Sequence, residues 1–214
     1  MKKIYKKILL IFSVIIAVLW MGGCAGQEAE AEVLAKFGNE KITLSSLEFY
    51  LIINQINYER TYAEQYPGEN IWQKDILGTG NTLEDDVKQS IMQEVKRMCI
   101  LLKKADELGI TLDEQDEEEL IVLEEIFKER YNEEVLNELH SEEGVVQEKL
   151  RESMLAAKVK EVICNENGWT ADDREERFEA LYKEWAQKES FTIREVDWSE
   201  IHFEQGKYKI TENE

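Results

Sequence analysis

Proline occurs once in this chain, at Pro67, and glycine only 11 times in 214 residues, so an architecture of many strands joined by tight turns lacks its turn residues. Histidine is nearly missing. His140 and His202 are the two present, and neither sits in a nucleophile, metal or phosphate motif, which excludes the common histidine-based chemistries. The three cysteines, Cys24, Cys99 and Cys164, never approach Cys-x-x-Cys spacing, which excludes a dithiol redox enzyme of that type. Positive charge is scarce as well. With 26 basic against 46 acidic residues the formal net charge is −20, and such a surface repels phosphate backbones and excludes nucleic acid as a partner. Acidic pairs such as Asp172-Asp173 and Glu142-Glu143 are too frequent in this composition to single out a general acid and base. Nothing in the sequence calls for a catalytic residue, a metal or a cofactor.

What is present is apolar content of 43% together with 34% charged residues, enough for a sizeable core under long charged helices. The fold class expected is mainly α. Met1 to Lys7 carries four lysines and Ile8 to Trp20 is uncharged, the layout of a bacterial export signal over residues 1–23. Gly22-Gly23-Cys24 then has the small residues that signal peptidase needs before a lipid-modified cysteine, although Met21 stands where leucine is usual. The apolar run on to Ala25 is also long enough to stay as a membrane-spanning helix; the small residues at the cleavage position favour the lipoprotein. Either way the remainder lies outside the cytoplasm and tethered. Loss of the leader's Lys2, Lys3, Lys6 and Lys7 takes the charge from −20 to −24. Residues 24–32, small and acidic, read as a flexible tether.

The most informative stretch runs from Thr82 to Asp113. Thr82 with Asp85 forms an N-cap pair, and Val87, Ile91, Val95, Met98, Leu102 and Ala105 keep a helical apolar row. Gly109 between Leu108 and Ile110 suits a left-handed C-terminal cap, after which Thr111 or Asp113 can open another helix. Upstream, Val33 to Phe37 alternates and meets Gly38-Asn39, a hairpin turn with glycine at its first central position, returning through Lys41-Ile42. Two blocks in this order, Ala35 to Leu44 and Ala105-x-x-Leu108-Gly109-Ile110-Thr111-x-Asp113, resemble the N-terminal chaperone domain of the SurA and PrsA foldases. The resemblance implies a long-helix chaperone module over residues 33–203, in which a small β-hairpin is joined by a C-terminal strand. It implies unfolded or newly exported polypeptides as partners, while the lipid anchor on Cys24 rests on the leader and Gly22-Gly23-Cys24. The family's parvulin insert has no counterpart here: His202 in Glu200-Ile201-His202-Phe203 resembles the first parvulin strand, but no second histidine or glycine-rich sheet follows.

Between these blocks, Thr43 can cap a helix to about Gln65 with two apolar rows. Leu44, Leu47, Leu51, Tyr58 and Tyr62 form one; Phe49, Ile52, Ile53 and Ile56 form the other. Such a helix is either sandwiched in the core or offers one row to a client, and burial is the usual meaning of apolar rows. Tyr66-Pro67-Gly68 ends it, and a loop to Asn81 holds Trp72, Ile76 and Leu77, whose tryptophan either pins the loop or meets clients. Phe49, Ile53, Tyr62 and Trp72 are the candidate client-binding residues. Residues 113–139 are acid-rich with Leu120, Leu123, Phe127 and Tyr131 at helical spacing; Asp113-Glu114-Gln115-Asp116 lacks the ligand spacing and glycine of a calcium loop. Ser141 is expected to open a helix to about Asn165 with two rows (Val146, Leu150, Met154, Ala157; Leu155, Val159, Val162, Ile163), ended by Asn167-Gly168. Thr170 with Asp173 opens a last helix carrying Phe178, Leu181, Tyr182 and Trp185. Phe191 to Val196 alternates and can join the hairpin, and residues 204–214 read as a frayed tail. Cys99 and Cys164 could pair outside the cytoplasm, but buried free thiols are the favoured state. Three functions remain: a non-covalent holding chaperone, an envelope adaptor that docks one partner, and a parvulin-type isomerase that keeps its activity.

Overall fold

The computed structural model describes residues 33–131, 135–136, 139, 144–194, 198–204 and, for the backbone alone, 207–210. The leader, Cys24, the tether, His140 and Ser141 lie outside the described residues. The chain opens with the hairpin of β1 (Val33–Phe37) and β2 (Glu40–Thr43), turned over Gly38-Asn39 with φ +58° at Gly38 and no positive φ at Asn39. Those signs are the ones of a two-residue turn with glycine first. Thr43 leaves the strand and at once caps α1 (Leu44–Tyr62), its hydroxyl accepting from the Ser46 amide at 3.4 Å. A loop leads to α2 (Leu83–Leu108), α3 (Glu114–Arg130), α4 (Val145–Glu166) and α5 (Arg174–Lys188). Three strands close the chain: β3 (Phe191–Ile193), β4 (Ile201–Glu204) and β5 (Lys207–Ile210).

The fold is therefore mainly helical with a three-stranded antiparallel sheet in the order β2-β1-β3 and a second pair, β4-β5. β3 returns to the N-terminal hairpin in the register Ala35↔Ile193, Lys36↔Thr192 and Phe37↔Phe191. The tail expected to fray instead forms β5 on β4, with Ile201↔Ile210 and Glu204↔Lys207. Polarity misled there: a strand on the rim of a small sheet needs little apolar content when main-chain pairing holds it.

α2 ends as its sequence dictates. Gly109 sits at φ 65°, ψ 28°, its N–H reaching the Asp106 carbonyl while the Ile110 N–H reaches that of Ala105 at 2.9 Å, the paired bonds of a Schellman cap. The same motif closes α4, where Gly168 N–H meets Asn165 O at 3.0 Å and Trp169 N–H meets Cys164 O at 3.1 Å. Asp113 opens α3 with a reciprocal box, accepting from the Asp116 amide while Asp116 accepts the Asp113 amide at 2.7 Å. Helix α4 has no side-chain cap at Gly144, and α5 starts a turn after Thr170, with Asp173 reaching back to the Thr170 amide at 2.9 Å.

Three apolar clusters explain the two-sided helices. Leu47 and Leu51 of α1 join Leu34, Val87, Ile91 and Phe203 under the sheet. Ile52, on the other side of α1, packs with Phe127, Tyr131 and Val146. Leu101 and Ala105, near the end of α2, meet Val159, Cys164 and Phe178 of α4 and α5. So α1 is sandwiched, and the rows of α4 serve two different clusters. At roughly 1.5 Å per residue α2 is long enough to touch the first and the third of these groups in turn. On α3 the buried row is Leu120 and Phe127, followed by Tyr131, whereas Leu123 turns out of it and is 40% exposed.

Apart from Gly109 and its chain neighbours, no atom lies within 4 Å of the position a Cβ would take there, so substitution meets backbone strain alone. Gly109→Ala should lower stability by about 1–2 kcal/mol and Gly109→Asn by less, read from urea midpoints.

Candidate functional site

The four client-contact candidates fall in two places, Phe49 and Ile53 beside one cluster and Tyr62 and Trp72 around one hollow. Trp72 is 0% exposed. Its ring stacks on Phe203 with centroids 4.4 Å apart, and its indole N–H donates to Glu59 Oε1 at 3.0 Å. The loop tryptophan is a pin, because an indole with an apolar body and one donor is best satisfied between a ring and a carboxylate. Phe49 stacks on Phe127 at 5.8 Å, and Ile53 packs beside it at the edge of the α1–α3–α4 cluster. Tyr62 stands in an aromatic file with Tyr58 and Tyr66 and lines a shallow hollow of about 110 Å³. Trp72 is therefore committed to packing, while Phe49, Ile53 and Tyr62 are half-buried at the margins of the clusters.

A polar arrangement that sequence reasoning missed ties the C-terminal strand to the helices. Glu84, in the first turn of α2, is buried; one carboxylate oxygen accepts the Phe203 amide at 2.9 Å and the other lies 2.9 Å from His202 Nδ1. One turn on, buried Lys88 donates to the Ile201 carbonyl at 2.7 Å. Gln55 of α1 donates to the Glu204 carbonyl at 2.6 Å and to Glu59 at 3.1 Å. Side chains thus take the place of a neighbouring strand along β4. Burial pushes the Lys88 ammonium below its usual range, against the opposing pull of Glu84 and Asp85.

Beside this clamp lies a cleft of about 510 Å³ between α2 and the chain from β3 onward. Its helix wall presents Lys88, Gln89, Met92 and Lys96, which share one face at three- and four-residue spacing. Its other wall is Phe191 and Ile193, on one face of β3 by strand alternation, with Trp198. Ile193 is 38% exposed. Lys88 sits 5.6 Å from the Trp198 ring centroid and Lys96 6.0 Å from that of Phe191. The Phe191–Ile193 alternation is legible in the sequence, but Met92 lies one step off the recognised α2 row and Trp198 follows no pattern.

A second apolar surface lies on α3, where Ile121, Val122, Leu123 and Ile126 are 58%, 53%, 40% and 53% exposed. The helix is tied to α4 through ion pairs of Glu117 with Arg151 and of Asp113 and Asp116 with Lys158.

The histidine and cysteines among the described residues lie elsewhere. His202 is engaged with Glu84, and no group of three potential metal ligands occurs among the described residues. Cys99 and Cys164 are both free and belong to different clusters. Among the described residues no helix is long and apolar enough to cross a membrane. No family model, curated protein or solved structure matches the chain.

Two predictions follow from this chemistry. Glu84→Ala strands the Phe203 amide and should cost about 1–3 kcal/mol in urea unfolding, with Glu84→Gln milder because an acceptor remains. Burial, reinforced by Glu40 and Glu152, pushes the Cys99 thiol up to about 11. Because only the thiolate reacts, alkylation of Cys99 in the folded chain at pH 8 should be about 100-fold slower than for a free cysteine, and should accelerate towards pH 11.

Proposed function

We propose that this protein is a lipid-anchored extracytoplasmic chaperone that holds unfolded or newly exported polypeptide without covalent chemistry. The observation that carries the reading is the open apolar cleft walled by Met92, Phe191, Ile193 and Trp198, a concave surface that the core leaves unfilled. The order of basic leader, apolar run and Gly22-Gly23-Cys24 supports the anchor, and the resemblance of Ala35–Leu44 and Ala105–Asp113 to the SurA and PrsA chaperone domain supports the activity. In this reading client contact centres on the cleft rather than on Trp72, which is committed to packing. The acidic remainder of the surface keeps a client complex soluble. Prolyl isomerisation is no part of this reading, since the parvulin catalytic set has no counterpart in the sequence.

The exposed apolar face of α3 favours a second reading, an adaptor that docks one envelope partner. Aggregation assays separate the two. The described core clusters all lie within residues 33–203, so the chain from Ala25 onward is the form to test. It should slow aggregation of several unrelated denatured proteins while leaving Xaa-Pro isomerisation of a short peptide at the background rate. Ile193→Ser should weaken that protection with a change in stability within about 0.5 kcal/mol, as expected of a partly exposed side chain. Activity towards none of the denatured proteins, with tight capture of one envelope protein, selects the adaptor.

A further inference from the structure

β3 closes one side of the sheet, and its hydrogen bonds show which way its main chain faces. The Gly38 N–H donates to Ser190 O at 2.8 Å and the Arg194 N–H donates to Leu34 O at 2.9 Å. With the register Lys36↔Thr192, this alternation turns the main-chain groups of Ser190, Thr192 and Arg194 towards β1. The N–H and C=O of Phe191 and Ile193 therefore point to the open side, and among the described residues nothing pairs with them.

The two edges of the sheet differ in kind. On the β2 side the edge carries Glu40 and Lys41, the charged residues by which natural sheets discourage pairing. The β3 edge reads Phe-Thr-Ile, carries no charge and borders the cleft. β4, by contrast, has its own free edge filled by Glu84 and Lys88. Of the edges with described side chains, β3 is the one left both unclamped and uncharged.

We propose that β3 and the cleft form a single site that takes an extended polypeptide as an added strand. The proposal rests on the chaperone reading and specifies how a client is held. Main-chain groups of Phe191 and Ile193 supply sequence-independent bonds, as a holder of many clients requires, and alternate client side chains drop into the cleft beside Met92 and Trp198. The charge at the two ends of the cleft sets a preference. Asp85, at the Lys88 end, is occupied by the Thr82 hydroxyl at 2.7 Å, and Lys88 is held by Ile201 O. Lys96 meets no carboxylate among the described residues and faces only the Phe191 ring. The favoured segment is therefore apolar at alternate positions with a carboxylate at the Lys96 end, against the sign expected from a chain of net charge −20.

The test uses labelled seven-residue peptides, apolar at alternate positions with a terminal Glu or Gln, and anisotropy with the chain from Ala25. Backbone N-methylation of one alternating set of amides should weaken binding at least tenfold and methylation of the other set should leave it unchanged. Lys96→Gln should abolish the preference for Glu over Gln, and bound peptide should slow amide exchange at Phe191 and Ile193. Ile193→Pro removes an outward N–H that β1 does not use and should lower affinity. Equal affinity for both methylated sets, no binding at millimolar peptide, or self-association through β3 that peptide cannot compete away would each overturn the proposal. Aggregation suppression by the wild type with no sensitivity to methylation would sink the added strand and spare the chaperone. Methylation-sensitive binding without aggregation suppression would do the reverse.

Discussion

The arrangement depends on how two buried charged groups at the start of α2 hold the main chain of β4. Glu84 and Lys88 leave water at a considerable cost, which is offset because each meets a main-chain group of the same strand, the Phe203 amide and the Ile201 carbonyl. Hydrophobic contact alone could hold Phe203 against Trp72, but it has no direction and would tolerate a slip along the strand. Hydrogen bonds to a particular amide and a particular carbonyl do not. With β4 seated, Trp198 is placed over Lys88 and one wall of the cleft is complete.

The acidic composition is organised by the same need to place helices. Arg97 of α2 forks onto Glu179 of α5 and lies 4.4 Å from the Tyr182 ring centroid, while Lys103 reaches Glu189 at 2.7 Å. These cations sit at helix junctions, while others pair along a single helix, as Lys128 does with Glu124. Exposed pairs of this type add little stability singly, so their part is to orient helices that the apolar clusters already hold. Lys96 has no such partner among the described residues and faces the Phe191 ring instead.

Two features of the described residues bear on what the molecule can contact. A thiol pushed up to about 11 by burial is poorly suited to attack, and the histidine on β4 is engaged by a carboxylate. The cleft and the neighbouring sheet edge offer what an extended chain lacks in water, apolar contact and main-chain partners together. The exposed apolar residues of α3 line neither of them, and their helix is tied to α4 by Glu117 and Arg151.

Local chemistry was legible in the sequence wherever the deciding atoms lie within a few residues of each other. Thr43, Thr82 and Asp113 cap the helices they were expected to cap, Gly38 and Gly109 take the positive φ their turns demand, and Phe191 onward does return to the hairpin. Periodicity also showed that α1 and α4 are apolar on two sides, although it could not say which clusters would cover them. What only tertiary structure decided is which side chains meet which main-chain groups across more than 100 residues: Glu84 the Phe203 amide, Gln55 the Glu204 carbonyl, Lys88 the Ile201 carbonyl. A polar residue that bonds to a distant main chain leaves no periodic trace, since its partner's identity is irrelevant to the bond. For the same reason Trp72 could be read from sequence either as a pin or as a contact for clients, and only the ring of Phe203 lying 4.4 Å away made it a pin.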